Sequence, residues 1–175
     1  MQNEADFDLP VVDNCCEKET YAFAGLAFYW ASVLEHGALN LAVVLALPDV
    51  GALTREQFDE TFESLSRRTL GQLLNAAKTQ ISISQETKTV IEDAVIARNL
   101  LIHRFFRDHA EDFISENGKA AMKNECLSLI KKFKAADFAI ERIYMPLWEK
   151  YGVDDNFVED QMAQMEEQAR KRDAF

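Results

Sequence analysis

Arg98, Asn99 and His103 stand in the run A-R-N-L-L-I-H-R-F-F (97–106), which otherwise has the apolar content of a core helix. Polar groups are rarely buried unpaired, because each costs on the order of kilocalories when desolvated alone. Successive helical residues advance by about 100°, so the three fall within an arc of about 140°, together with Val95, Ile102 and Phe106. Asn99 and His103, four apart, point the same way, and Arg98 lies on the near flank. Arginine offers a permanently charged fork of donors and histidine titrates near neutral pH. Such a set can hold an anion and move a proton. It can equally form a polar network that ties this helix to its neighbours, with Glu35 as the natural acidic partner for Arg98 or His103.

The chain that must position these groups has 175 residues, enough for one domain with a sizeable core. Its apolar share of 48% is that of a globular protein. With only 6 Gly and 3 Pro, it favours long helices over a turn-rich β fold. The net charge of −11 counts against nonspecific duplex binding, which depends on neutralising phosphates. Cys15, Cys16 and Cys126 show no metal-ligand spacing, and their odd number points to a reducing cytoplasm. No metal or other cofactor is expected.

A first helix is predicted from about Glu19 to Leu47, ending at Pro48 and Gly51, with a kink at Gly37. It is long enough to span a bilayer, but Glu35, His36 and Asn40 lie near its middle and no basic cluster flanks it. It is therefore read as a core helix, with Phe23, Phe28, Tyr29 and Trp30 as core aromatics, and no membrane partner is expected. Thr54 and Gln57 form the capping-box pattern that opens a second helix, which breaks near 66–69 before continuing. I-S-I-S is read as a loop, with Ser84 capping a third long helix that runs to about Ile114. Asn117-Gly118 is read as a stop, and a fourth long helix follows from about Lys119 to Glu149, kinked or ended by Pro146. The expected organisation is a flexible acidic arm (1–18), an all-α up-and-down bundle of four to five helices (19–152), and a polar helix-prone tail (153–175).

The segment Arg98-Asn99-Leu100-Leu101-Ile102-His103 resembles the signature of the HEPN superfamily: an arginine, a polar residue, a few mostly apolar residues and a histidine on a long helix of a helical bundle. Glu35 on the long first helix, T-L-G-Q-L-L (69–74) and the H-R-F-F that ends the motif extend the resemblance over roughly residues 21–152. It implies a metal-independent endoribonuclease, of the kind found as toxins or in defence systems, acting as a homodimer whose two motifs share a cleft. In that reading Arg98 grips the scissile phosphate, His103 transfers protons, Asn99 orients one or the other, and a 2′,3′-cyclic phosphate is left. Glu35 supports Arg98, while Arg104 and Arg107 rim the RNA groove. An antitoxin or defence protein is the implied partner. Some members carry a modifiable tyrosine two residues after the histidine; here that position is Phe105. The contrasting reading is a non-catalytic interaction module of the same fold, in which the motif is a structural network.

Overall fold

The computed structural model describes residues 10–11 and 16–173. Cys15 and most of the expected N-terminal arm lie outside them. The described chain is all α, without a strand: α1 (Glu17–Ala46), α2 (Arg55–Ser66), α3 (Leu70–Lys78), α4 (Gln85–His103), the single turn α5 (Phe105–Asp108), α6 (Glu116–Trp148) and α7 (Asp155–Asp173). Short 3-10 turns follow α1, α5 and α6.

The two longest helices, α1 and α6, pack along each other and form the spine; α4 lies on α6, and α3 and α2 lie on α1. The seam is built from small residues on α1 (Ala24, Ala27, Ala31, Ala38) against bulky ones on α6 (Met122, Ile130, Phe133, Ile140), all buried. Small against large lets two helix backbones approach closely while still filling the space between them. Leu34, Leu101 and Phe105 complete the centre. Burial of each such side chain stabilises the fold by about 1.5–3 kcal/mol. α1 is long and apolar enough to cross a bilayer, but half of its most apolar window is buried inside this bundle.

Local signals set most helix starts. Thr54 and Thr69 each cap through their hydroxyl, with Gln57 and Gln72 returning a bond to the cap N–H. Ser84 and Ser115 cap α4 and α6. Cys16 caps α1, its sulfur accepting from Glu19 N–H, and Thr20 is buried. At the far end, Tyr151 donates to the Pro48 carbonyl at 2.7 Å, and Trp148 sits edge-on to Phe58. These contacts close the base of the bundle. Pro146 lies two residues before the end of α6, and Gly152, at φ 80°, turns the chain out of the helix.

Three expectations need correction. The third long helix does not reach Ile114. It ends at His103, where Arg104 adopts φ −131°, and this bend accompanies the burial of Phe105 and the packing of Phe106 and Phe113 around Tyr21. Asn117 and Gly118 do not stop a helix; they lie in the first turn of α6. Gly118 is needed because the Asp112 carbonyl crosses so closely that a Cβ would lie 2.1 Å from its oxygen. Finally, Phe28 and Tyr29 are exposed, whereas Phe23 is core. α1 runs unbroken through Gly37, whose missing side chain admits the Asp137 carboxylate. α7 is exposed along its length and presents Val158, Met162 and Met165 on one stripe.

Between α5 and α6, His109 is held by two carboxylates: Nδ1 lies 2.7 Å from Asp112 and Nε2 lies 2.9 Å from Glu125. A neutral imidazole has one N–H and can donate to only one of them. Both contacts together therefore call for the imidazolium. Burial, with the Phe105 ring tilted against it at 4.8 Å, favours the neutral ring, but the bond to Asp112 and the charge of Glu125 outweigh it, and the pKa is raised above 6.5.

Two outcomes follow from this geometry. Gly118→Ala gains about 1 kcal/mol of helix propensity but forces α6 away from backbone that cannot yield, so thermal or denaturant melts should show a net loss of about 1–3 kcal/mol. For His109, a raised folded pKa means stability that is fully present below about pH 6.5 and lost as pH rises through the folded value. The stability difference between wild type and His109→Gln should therefore shrink from pH 6 toward pH 8.5, as followed by chemical denaturation at each pH.

Candidate functional site

Arg98 projects from the C-terminal half of α4 toward the middle of α1. Its Nε and Nη2 both lie 2.5 Å from Glu35 Oε1, and its Nη1 donates to Asn99 Oδ1 at 3.2 Å. The side chain is 24% exposed and that of Glu35 35% exposed. A guanidinium carries five N–H donors in a plane. Three are directed at these contacts, which leaves one on each terminal nitrogen for a further acceptor. A planar, pre-aimed pair of donors is the arrangement that suits a phosphate or carboxylate.

Asn99 and His103 are both exposed, one turn apart on the same face of α4. The structure thus joins Arg98, Asn99 and Glu35 by direct bonds. The His103 side chain makes no hydrogen bond to any described residue, and His103 is the last residue of α4, at the bend. The motif is a surface group with one half-buried anchor, so a sealed polar network is not what the geometry contains. Arg104 and Arg107, expected at the groove rim, are exposed and both engage Asp108, at 2.9 and 3.3 Å. Exposed pairs of this kind contribute about 0–1 kcal/mol and exchange readily for another anion.

The surroundings are apolar and exposed. Tyr21 packs against Phe106 with ring centroids 6.0 Å apart and against Phe113 at 5.2 Å. Along α1, Tyr21, Gly25, Phe28 and Ser32 follow one another at helical spacing on the solvent side. His36 lies on that side too, bonded to the Ser32 carbonyl at 2.8 Å. A groove of about 330 Å³ opens between α3 and α4, lined by Leu74, Lys78, Ile91, Glu92, Val95 and Ile96. It does not reach Arg98, Asn99 or His103.

Several polar groups that reading the sequence missed lie elsewhere. Lys123 is fully buried and paired with Glu19, tying the start of α1 to α6. Its place on the stripe with Cys126, Ile130 and Phe133 was the available signal. Asp137 is pushed up to about 6, first by burial against α1 and then by Glu141. Tyr144 is pushed up to about 12 by burial and the same acids, and bonds Asn40. These groups stabilise or strain the α1–α6 seam, and none of them touches the motif. The chain matches no family model, and neither a curated protein nor a solved structure is significantly similar to it.

Proposed function

We propose that the chain is a metal-independent endoribonuclease of the HEPN kind, working as a cytoplasmic homodimer, with an antitoxin or defence protein as partner. The observation that supports this reading best is the placement of Asn99 and His103 on open surface beside an arginine that Glu35 holds in position. In the reaction, the His103 imidazole of one protomer takes the proton from a ribose 2′-OH. The 2′ oxygen attacks the adjacent phosphorus, and the bond to the 5′ oxygen breaks. The partner subunit's His103, protonated, supplies a proton to that leaving oxygen. Arg98 directs its two outward donors at the phosphate oxygens, where charge builds up in the transition state. Asn99, bonded to Arg98, keeps the guanidinium plane oriented. The products are a 2′,3′-cyclic phosphate and a 5′-hydroxyl end, and no atom in the balance requires a metal.

The dimer follows from what one copy leaves uncovered. Tyr21, Phe28 and Phe106 are exposed beside the motif, and pairing this face with itself across a two-fold axis would cover them and set two motifs around one cleft. Sedimentation at tens of micromolar should show a dimer, and Phe28→Glu should convert it to a monomer with unchanged helix content. A wild type that sediments only as a monomer would remove the two-histidine cleft.

A specific observation also favours the second reading, a non-catalytic interaction module: the charge of Arg98 is already met by Glu35. One set of variants separates the two. Under the ribonuclease reading, Arg98→Ala and His103→Ala each abolish cleavage of single-stranded RNA with melting little changed, since both groups border solvent. Glu35→Ala, which leaves the guanidinium but frees its position, should lower cleavage by about 10- to 100-fold. If the pair is structural, cleavage is absent from the start. Arg98→Ala then strands Glu35, and the loss appears in the melt instead. Cleavage that survives in both Arg98→Ala and His103→Ala would sink the assignment.

A further inference from the structure

A second face of the spine carries cations beside aromatic rings. On α6, Leu127, Lys131, Lys134, Phe138 and Arg142 recur at intervals of four, three, four and four, which places them in one stripe about 80° wide. From Lys131 to Arg142 the stripe runs about 16 Å along the helix. Its cations sit on rings: Lys134 Nζ lies 4.3 Å from the Trp30 centroid, and the Arg142 guanidinium 5.9 Å from that of Phe138. Trp30 comes from α1 and receives Tyr29 edge-on at 5.4 Å. Tyr29 is 60% exposed and Phe138 49%. The aromatic faces here are thus partly open to solvent, with charged groups fixed beside them. Glu141 and Asp137 are the acids nearest in sequence, and Asp137 is turned toward Gly37 on α1.

We infer that this stripe, formed by Tyr29, Trp30, Lys131, Lys134, Phe138 and Arg142, is a binding face for single-stranded RNA. The chemistry of the stripe selects such a ligand. Bases stack on exposed rings whatever their identity, and cations spaced along a helix follow a phosphate backbone. A folded protein partner would be met by a continuous apolar patch, which the interposed Lys131, Lys134 and Arg142 interrupt. Duplex would meet the rings without an accessible base face. The inference takes its substrate class from the ribonuclease reading, and it adds where the strand is held: across α1 from the motif, on a surface that takes no part in the bond-breaking.

The test measures binding, not cleavage, so that it can fail separately. In His103→Ala protein, anisotropy of a labelled oligouridine of about 12 nucleotides at about 50 mM salt should show saturable binding that weakens as salt rises. Tyr29→Ala and Phe138→Ala should each weaken it by about 5- to 100-fold with the melting temperature little changed, the range that loss of one stacking partner gives. The surface double change Lys131→Glu with Arg142→Glu should weaken it further and flatten the salt dependence. No binding by the parent, or equal affinity in all the stripe variants, would overturn the proposal. Stripe variants that break the dimer while RNA affinity stays constant would overturn it too, by showing that the face pairs with a second copy. RNA binding by a wild type that cleaves nothing would remove the ribonuclease reading and leave this one standing.

Discussion

The close approach of α1 and α6 is the constraint from which the rest of the arrangement follows. It depends on α1 bringing small buried residues, Ala27, Ala31 and Ala38 among them, to a seam where α6 buries large ones such as Ile130, Phe133 and Ile140. Interiors pack at crystal-like density, so exchanging a single alanine on this seam for a larger residue would displace one helix relative to the other. That displacement would be felt on both sides of α1. On one side, Trp30 is held under Lys134 of α6; on the other, Glu35 is held against Arg98 of α4. The spacing of the two faces is therefore set by hydrophobic packing, although every group displayed on them is polar or aromatic.

Within that frame, ion pairs contribute position more than stability. The Lys123–Glu19 pair is buried on the lysine side, where the desolvation cost rivals the attraction. Its effect is to fix which residue of α1 faces which residue of α6 near their shared end. Arg98–Glu35 does the same for α4, half in solvent, where its net contribution is smaller still. Neither pair would be selected for strength, since a leucine in either place would bury as much surface at lower cost. A register requirement explains both. For Arg98 there is a second reason, because only an anchored guanidinium presents its remaining donors in a fixed direction.

Helix identity was legible in the sequence where local chemistry decides it. Thr54 with Gln57, and Ser84, could be read because a cap acts over a few residues. What could not be read was decided at long range. Gly118 has the pattern of a helix stop, yet it opens α6 because Asp112 passes over it. Phe28 and Tyr29 follow a core periodicity, yet they face solvent because α1 has neighbours on only part of its circumference. The motif shows both limits. The common face of Asn99 and His103 follows from helical geometry alone, and Glu35 could be named as a partner. That the group lies at the surface, and that the helix bends immediately after His103, depends on where Phe105 and His109 find their burial and their carboxylates.

The acidity of the chain is the strongest argument against any polyanionic ligand, and its weight depends on distance. Charges are screened over about 8–10 Å at physiological ionic strength, so a strand on α6 responds to Lys131, Lys134 and Arg142 and hardly to acids several screening lengths away. Much of the negative charge lies on α2 and α7, both solvent-exposed and turned outward from the spine. Part of it is already met locally, Glu63 by Arg67, Glu166 by Arg170 and Glu167 by Lys171. The acids that do count are local ones: Glu35, which competes directly for Arg98, and the exposed Glu141, next to Arg142 on α6. A phosphate entering at Arg98 need not displace Glu35, since two donors of the guanidinium point away from the pair. The total charge therefore sets how fast a polyanion arrives, while the local arrangement on α1, α4 and α6 decides whether it is held.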